Sequence, residues 1–314
     1  TKKFDELLTR VGRRLDSNPE NMSDLRFKVK ILGRMKENAE VRIVLREIAS
    51  IAPEDIDNLY TIARFAYNAD DMAECIETLT KLLEIDVEHL NGLNLLARAL
   101  TNEENQEEAM IVRKRISSIA PEDTNNLYTI ARISYNSDEI SECIDALNKL
   151  LKIDVNHTDG TDLLVRALTK NGDESKALDI LNRLTSTGKA NEKMLLQHAR
   201  LLYNNEQWGG AMLLFKEIYD THDSDVGADG LTSSLIRLER WQDALDILTA
   251  MWNKGRFSTT RANRVVNMLY RMKIYDELLE FVNDLDEPYS SDYYVLKASA
   301  RALMNIGKYD ITSP

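Results

Sequence analysis

Two cysteines, five prolines and twelve glycines in 314 residues leave little to staple or interrupt a chain of this length. Cys75 and Cys143 cannot form a disulfide framework, and they leave the redox compartment open, with the cytoplasm favoured. Scarce proline and glycine, with 43% apolar and 29% charged residues, exclude collagen-like, disordered and low-complexity chains. No apolar run approaches the roughly 18 residues that span a bilayer, and Thr1-Lys2-Lys3-Phe4 begins no signal-peptide core. An excess of positive charge is also missing. With 52 acidic against 40 basic residues the net charge is −12, which argues against nonspecific binding to nucleic acid or to an acidic membrane. The chain lacks an initiator Met and stops soon after a helical pattern begins, as expected of a piece cut from a longer protein.

What the chain does have is internal repetition. The stretch from Ile51 to Arg64 returns from Ile119 to Arg132 at an offset of 68, and Leu93 to Arg98 matches Leu59 to Arg64 at half that offset, 34. The register continues through Leu164-Val165-Arg166 and His198-Ala199-Arg200. It loses one residue near Thr221 to Ser224, and resumes at Trp241, Tyr275 and Tyr309-Asp310. Repeats then start at 22, 56, 90, 124, 158, 192, 225, 259 and 293, giving eight full units and part of a ninth. Counting from each start, place 8 is small or β-branched (Ala63, Ala97, Ala131, Val165, Ala199), and place 20 is mostly small (Cys75, Ala109, Cys143, Ala177, Ala211, Ala244). Place 24 is apolar in most units, and Pro53 and Pro121 stand at place 32, where a helix should stop.

A 34-residue unit with small residues at places 8 and 20, an apolar residue at 24 and occasional proline at 32 resembles the tetratricopeptide repeat. The resemblance covers residues 22–314 and implies an all-α, right-handed superhelical α-solenoid of helix-turn-helix units. Residues 1–21 fit a capping helix or the second half of a truncated repeat. Val87, Val155, Asp223 and Arg256 stand where proline is usual, so those turns should be looser. Such an array has no single core: each helix pair buries its apolar face against the next.

At about 100° per residue, places 4, 7, 8 and 11 of the first helix share one stripe, and those places are largely apolar or small. Places 2, 5, 9, 12 and 13 fall opposite, on the side that resemblance to the family assigns to a concave groove. Place 9 reads Arg64, Arg98, Arg132, Arg166 and Arg200 in five successive units. Place 13 offers Asn68, Asn102, Asn136 and Asn204 beside Lys170, and place 12 alternates Tyr67, Thr101, Tyr135, Thr169, Tyr203. Over nine units these five places hold 14 cations and 4 anions, so the groove carries +10 and the remainder of the chain −22. Arg supplies forked donors to carboxylate or phosphate, Asn a donor and an acceptor for extended backbone, and Tyr a flat face. Part of both rows could equally be structural, with Arg paired to a neighbouring unit and Asn tying the inter-helix turn.

Nothing in the chain resembles a catalytic constellation. The four histidines are scattered, with no companion at ligand spacing, so no metal or other cofactor is implied. His198 fits a core edge, the two cysteines small core places, and Gly209-Gly210 a close packing site inside a helix. The leading reading is a non-catalytic scaffold that binds an extended, partly anionic peptide of a partner protein in a basic groove, with Arg as anchors, Asn as backbone readers and Tyr as packing faces. A second reading is the repeat arm of a larger, bacterial glycosyltransferase-like enzyme holding an anionic polysaccharide or acceptor polymer. Single-stranded RNA is a rarer third. Self-association through open ends of the array is compatible with all three.

Overall fold

The computed structural model describes residues 2–256 and 258–307; Thr1, Phe257 and the last register match, Tyr309-Asp310, lie outside them. All regular structure among the described residues is α-helix. The chain divides into two compact units, Thr1–Asn171 and Gly172–Pro314.

The first unit runs α1 (Lys2–Ser17), α2 (Met22–Met35), α3 (Asn38–Ile51), α4 (Ile56–Asn68), α5 (Met72–Ile85), α6 (Leu90–Asn102), α7 (Gln106–Ile119), α8 (Thr124–Asn136), α9 (Ile140–Ile153) and α10 (Thr158–Lys170). The second runs α11 (Glu174–Ser186), α12 (Glu192–Asn204), α13 (Trp208–His222), α14 (Asp225–Arg237), α15 (Trp241–Asn253), α16 (Thr259–Met272), α17 (Tyr275–Asn283) and α18 (Tyr293–Ile306). From α2 onward, every even-numbered helix begins on a place 1 of the sequence period. None is long and apolar enough to cross a membrane.

Local chemistry sets those boundaries. The residue before each even-numbered helix, Asn21, Asp55, His89, Asp123, His157, Asn191, Ser224, Ser258 or Asp292, accepts a hydrogen bond from a backbone N–H in the helix's first turn. From Asp55 onward these caps occupy the last place of each repeat. The turn inside each repeat puts place 15 in the left-handed region, filled by Lys36, Asp70, Glu104, Asp138, Glu206, Glu239 and Lys273, with glycine at 172 and 307. In the first unit the following N–H then reaches back to the helix in a Schellman closure, as from Asp71 to the Ala66 carbonyl and from Asn105 to the Leu100 carbonyl.

The core is made pair by pair. Val41, Cys75, Ala109, Cys143, Ala177, Ala211, Ala244 and Leu278 at place 20 are all fully buried, as the small-residue pattern predicts. Places 4 and 8 meet them from the first helix: Leu59 and Ala63, Leu93 and Ala97, and Leu127 and Ala131 are buried. Both cysteines are free, and burial pushes each thiol up to about 11. Place 3 is buried as well, alternating Asn58, Gly92, Asn126, Gly160. The Asn58 amide donates to the Leu45 carbonyl at 3.0 Å, and the Asn126 amide to the Arg113 carbonyl at 3.0 Å. Where place 3 is Gly92, a Cβ would come within 3.1 Å of Leu82 Cδ2 and 2.9 Å of His89 Nδ1, so the alternation records closer helix approach.

Three of the four positions without the usual proline, all but Val155, have other ties. Arg115 donates to the Val87 carbonyl. Asp223 pairs with Lys254 at 2.9 Å and also with Arg256, which reaches Asp225 at 3.1 Å.

Candidate functional site

In the first unit, the exposed face of α4, α6, α8 and α10 presents Arg64, Arg98, Arg132 and Arg166, one per first helix. Arg200 stands at the same place on α12 in the second unit. All five side chains are exposed, and among the described residues none has a carboxylate within ion-pair distance. Some cations on other faces are paired, Arg42 with Asp71 and Glu74 and Lys114 with Glu142 at 2.6 Å.

The tyrosines of place 12 are half-buried and reach toward the next first helix. Arg98 lies over the Tyr67 ring with Cζ 4.8 Å from its centroid, and Arg166 lies over Tyr135 at the same distance. Such cation–π contacts contribute about 0.5–1 kcal/mol at exposed sites. Place 13 of the following helix completes each cluster. Asn102 Nδ2 donates to the Tyr67 hydroxyl at 3.3 Å, and Lys170 Nζ stands 5.1 Å over Tyr135. The motif recurs in the second unit, where Arg237 Nε donates to the Tyr203 hydroxyl and Asn305 Nδ2 to that of Tyr270, both at 3.4 Å.

Place 12 therefore links neighbouring repeats as well as facing outward. Asn102 uses one donor on Tyr67, whereas Asn68, Asn136 and Asn204, each the last residue of its helix, are exposed with their amides unengaged among the described residues. Places 2 and 5 divide. Asp57, Asn91, Asn125 and Asp159 are exposed, but Asp162 is 94% buried, and Tyr60 and Tyr128 pack edge-on or tilted against His89 and His157 at 5.4 and 5.1 Å. Some cations counted for the open face are also engaged: Arg26 pairs with Asp55 and Lys170 with Asp138, both at 2.6 Å.

Two features lie beyond what the sequence alone assigns. His89 and His157 are helix caps and ring partners, a role signalled only by their coincidence with Asp, Asn and Ser at the last place of the period. In the second unit a cavity of about 530 Å³ opens between α16 and α18, lined by Asn263, Arg264, Asn267, Tyr270, Lys297 and Arg301 among others. Most of these residues occupy the same open-face places as the ladder, so the signal is present in the period although it does not by itself mark a cavity.

Neither a family model nor a curated protein matches the sequence. Among solved structures, a chain of Naa15/Naa10 bound to HypK-THB superposes with a TM-score of 0.62 at 14% identity, covering 91% of this chain and 52% of that one. This chain thus spans about half the length of that neighbour. YrrB, described as a TPR protein with an unusual peptide-binding site, aligns at a TM-score of 0.48 and 14% identity over 59% of this chain and 95% of its own. A tetratricopeptide repeat protein from Parabacteroides merdae aligns at 0.48 and 11% identity over 78% of this chain and 98% of its own.

Proposed function

We propose that this chain, an all-α solenoid of tetratricopeptide repeats in fold, is a non-catalytic interaction scaffold whose first-helix face holds an extended, partly anionic peptide of a partner protein. The observation that carries the reading is the row Arg64, Arg98, Arg132 and Arg166 in the first unit: exposed, evenly spaced in sequence, and without a carboxylate partner among the described residues. A cation left unpaired on a chain with 52 acidic residues is available to an outside anion, and the guanidinium fork suits carboxylate. The exposed amides of Asn68 and Asn136 lie at the helix ends beside that row and can donate to and accept from an extended backbone. Tyr67 and Tyr135 give the row its rings. Arg200, Tyr203 and Asn204 place the same chemistry on the second unit, where it forms a separate element of the proposal. Presence of this fold in the Naa15/Naa10 structure, which is of a complex bound to HypK-THB, supports a role in protein assembly.

The test is charge reversal at two exposed positions. With a fluorescein-labelled Glu-rich peptide at low salt, Arg132→Glu combined with Arg166→Glu should weaken binding by at least ~10-fold while leaving the circular dichroism spectrum unchanged. Unchanged affinity in that double variant would remove the ladder from the account.

A further inference from the structure

The place 9 arginines differ in one respect that follows the alternation at place 12. Where the preceding repeat carries Tyr, the Arg lies on its ring: Arg98 on Tyr67 and Arg166 on Tyr135, each at 4.8 Å. Where the preceding repeat carries Thr101, Arg132 has no ring beneath it among the described residues, and the Thr101 hydroxyl turns back to donate to the Ala97 carbonyl at 2.6 Å. Arg64 sits 5.9 Å from the ring of Tyr60, on its own helix and one turn back. The first unit therefore holds two like clusters 68 residues apart, with a less constrained Arg132 between them.

We propose that Arg98 and Arg166 are the two fixed anchors of this face, and that its partner is an acidic peptide segment with carboxylates about six residues apart. This deepens the scaffold reading and rests on it. A guanidinium already laid against a ring has less freedom to lose when a carboxylate engages its outer edge, so a stacked Arg binds a fixed point better than an unstacked one. Among the described residues neither anchor has an internal carboxylate to displace. The clusters are two repeats apart, and helix packing at 8–10 Å per step separates them by ~20 Å. An extended chain covers that distance in about six residues. Charge complementarity, with an unpaired cation at each end, selects carboxylates for the two ends of the segment. Both clusters belong to the first unit, so the spacing is internal to one compact body.

Fluorescence anisotropy with the full chain and labelled Gly/Ser peptides carrying two Glu at spacings from about two to about ten residues tests this directly. Affinity should peak near a spacing of about six, at least ~5-fold tighter than at about two, because the second contact becomes intramolecular. Arg98→Gln and Arg166→Gln should each flatten the spacing profile to that of a one-Glu peptide, whereas Arg64→Gln and Arg132→Gln should lower affinity alike at every spacing and leave the peak in place. All four residues are exposed, so folding is not at issue. A profile without a peak, or a peak lost equally in the Arg132→Gln variant, overturns the two-anchor proposal and leaves the scaffold reading in place. No binding of any acidic peptide, or tighter binding of homopolymer RNA, overturns both.

Discussion

At the scale of single residues, the repeat is most informative where one copy breaks it. Arg113 holds place 24, which is apolar in the other repeats, and is 92% buried. Its Nε has no partner, its Nη1 is 3.4 Å from Asn126 Oδ1, and burial lowers its pKa from the ordinary arginine value. Replacing it with Leu, as at place 24 of neighbouring repeats, removes an orphaned buried N–H but orphans Asn126 Oδ1, as Asn58 Oδ1 already is beside Leu45. The first effect is the larger, since the charge goes with it, and Arg113→Leu should raise stability by about 1 kcal/mol. A higher urea midpoint with unchanged slope is the expected readout; a lower midpoint would show that the aliphatic stem packs better than Leu. His198 offers a pH-dependent counterpart. It is 97% buried, with Nδ1 3.0 Å from Thr185 Oγ1 and Nε2 unpartnered, and burial lowers its pKa from the usual 6.5. The unfolded chain then takes up the proton more readily than the folded one, so this contribution is intact above the ordinary His value and is lost as pH falls below it. His198→Leu should abolish that part of the drop in urea midpoint between about pH 7.5 and 5.5, and an identical drop in both proteins would refute the assignment. The core role of His198 was legible from its place. The depth of its burial was not, because neighbouring repeats have Leu164 and Leu231 there and give no hint of a polar partner.

The helices themselves were legible because period and capping agree: a small residue at place 20 marks the seam and a capping side chain at the last place marks the start of the next first helix. What sequence could not separate was glycine used for approach from glycine merely tolerated. Gly209 and Gly210 fit one packing site by sequence, yet a Cβ on Gly209 would meet nothing within 4 Å, while one on Gly210 would lie 3.2 Å from Leu202 Cδ1. A tighter backbone approach is between α13 and α14, where a Cβ on Gly227 would lie 2.8 Å from the Tyr219 backbone nitrogen. Backbone cannot step aside as a side-chain end can. Gly227→Ala should therefore destabilise by about 1–3 kcal/mol despite the better helix propensity of alanine. Gly209→Ala, with open space and only the backbone entropy gain, should stabilise by up to about 1 kcal/mol. Thermal unfolding of the two variants side by side decides the point, and a shift in the same direction for both would refute it.

For the molecule as a whole, the net charge of −12 conceals where the charges stand. Sorting residues by place in the period exposes a basic stripe on an acidic chain, and the structure keeps its centre: Arg64, Arg98, Arg132 and Arg166 are exposed and without a carboxylate partner among the described residues. It also trims the edges, since Arg26 and Lys170 are neutralised by Asp55 and Asp138 and Asp162 is buried. Those pairings escape a count by face because each partner comes from a turn next to the groove places. Asp229 is likewise neutralised in the second unit, by Arg261 at 3.0 Å and Arg264 at 3.7 Å, both on α16. The surviving cations face solvent, and exposed charges separated by more than a screening length of ~8–10 Å act independently once salt is present. Affinity for a two-Glu peptide should accordingly fall by ~10-fold or more between about 20 mM and 500 mM salt, with the association rate falling more than the dissociation rate rises. Fold stability should change little over the same range, because the small apolar residues of place 20 carry no charge to screen. Stopped-flow association across that salt series makes the comparison, and a salt-independent on-rate would mean that peptide is recognised by its backbone and apolar groups with the arginine row as a bystander.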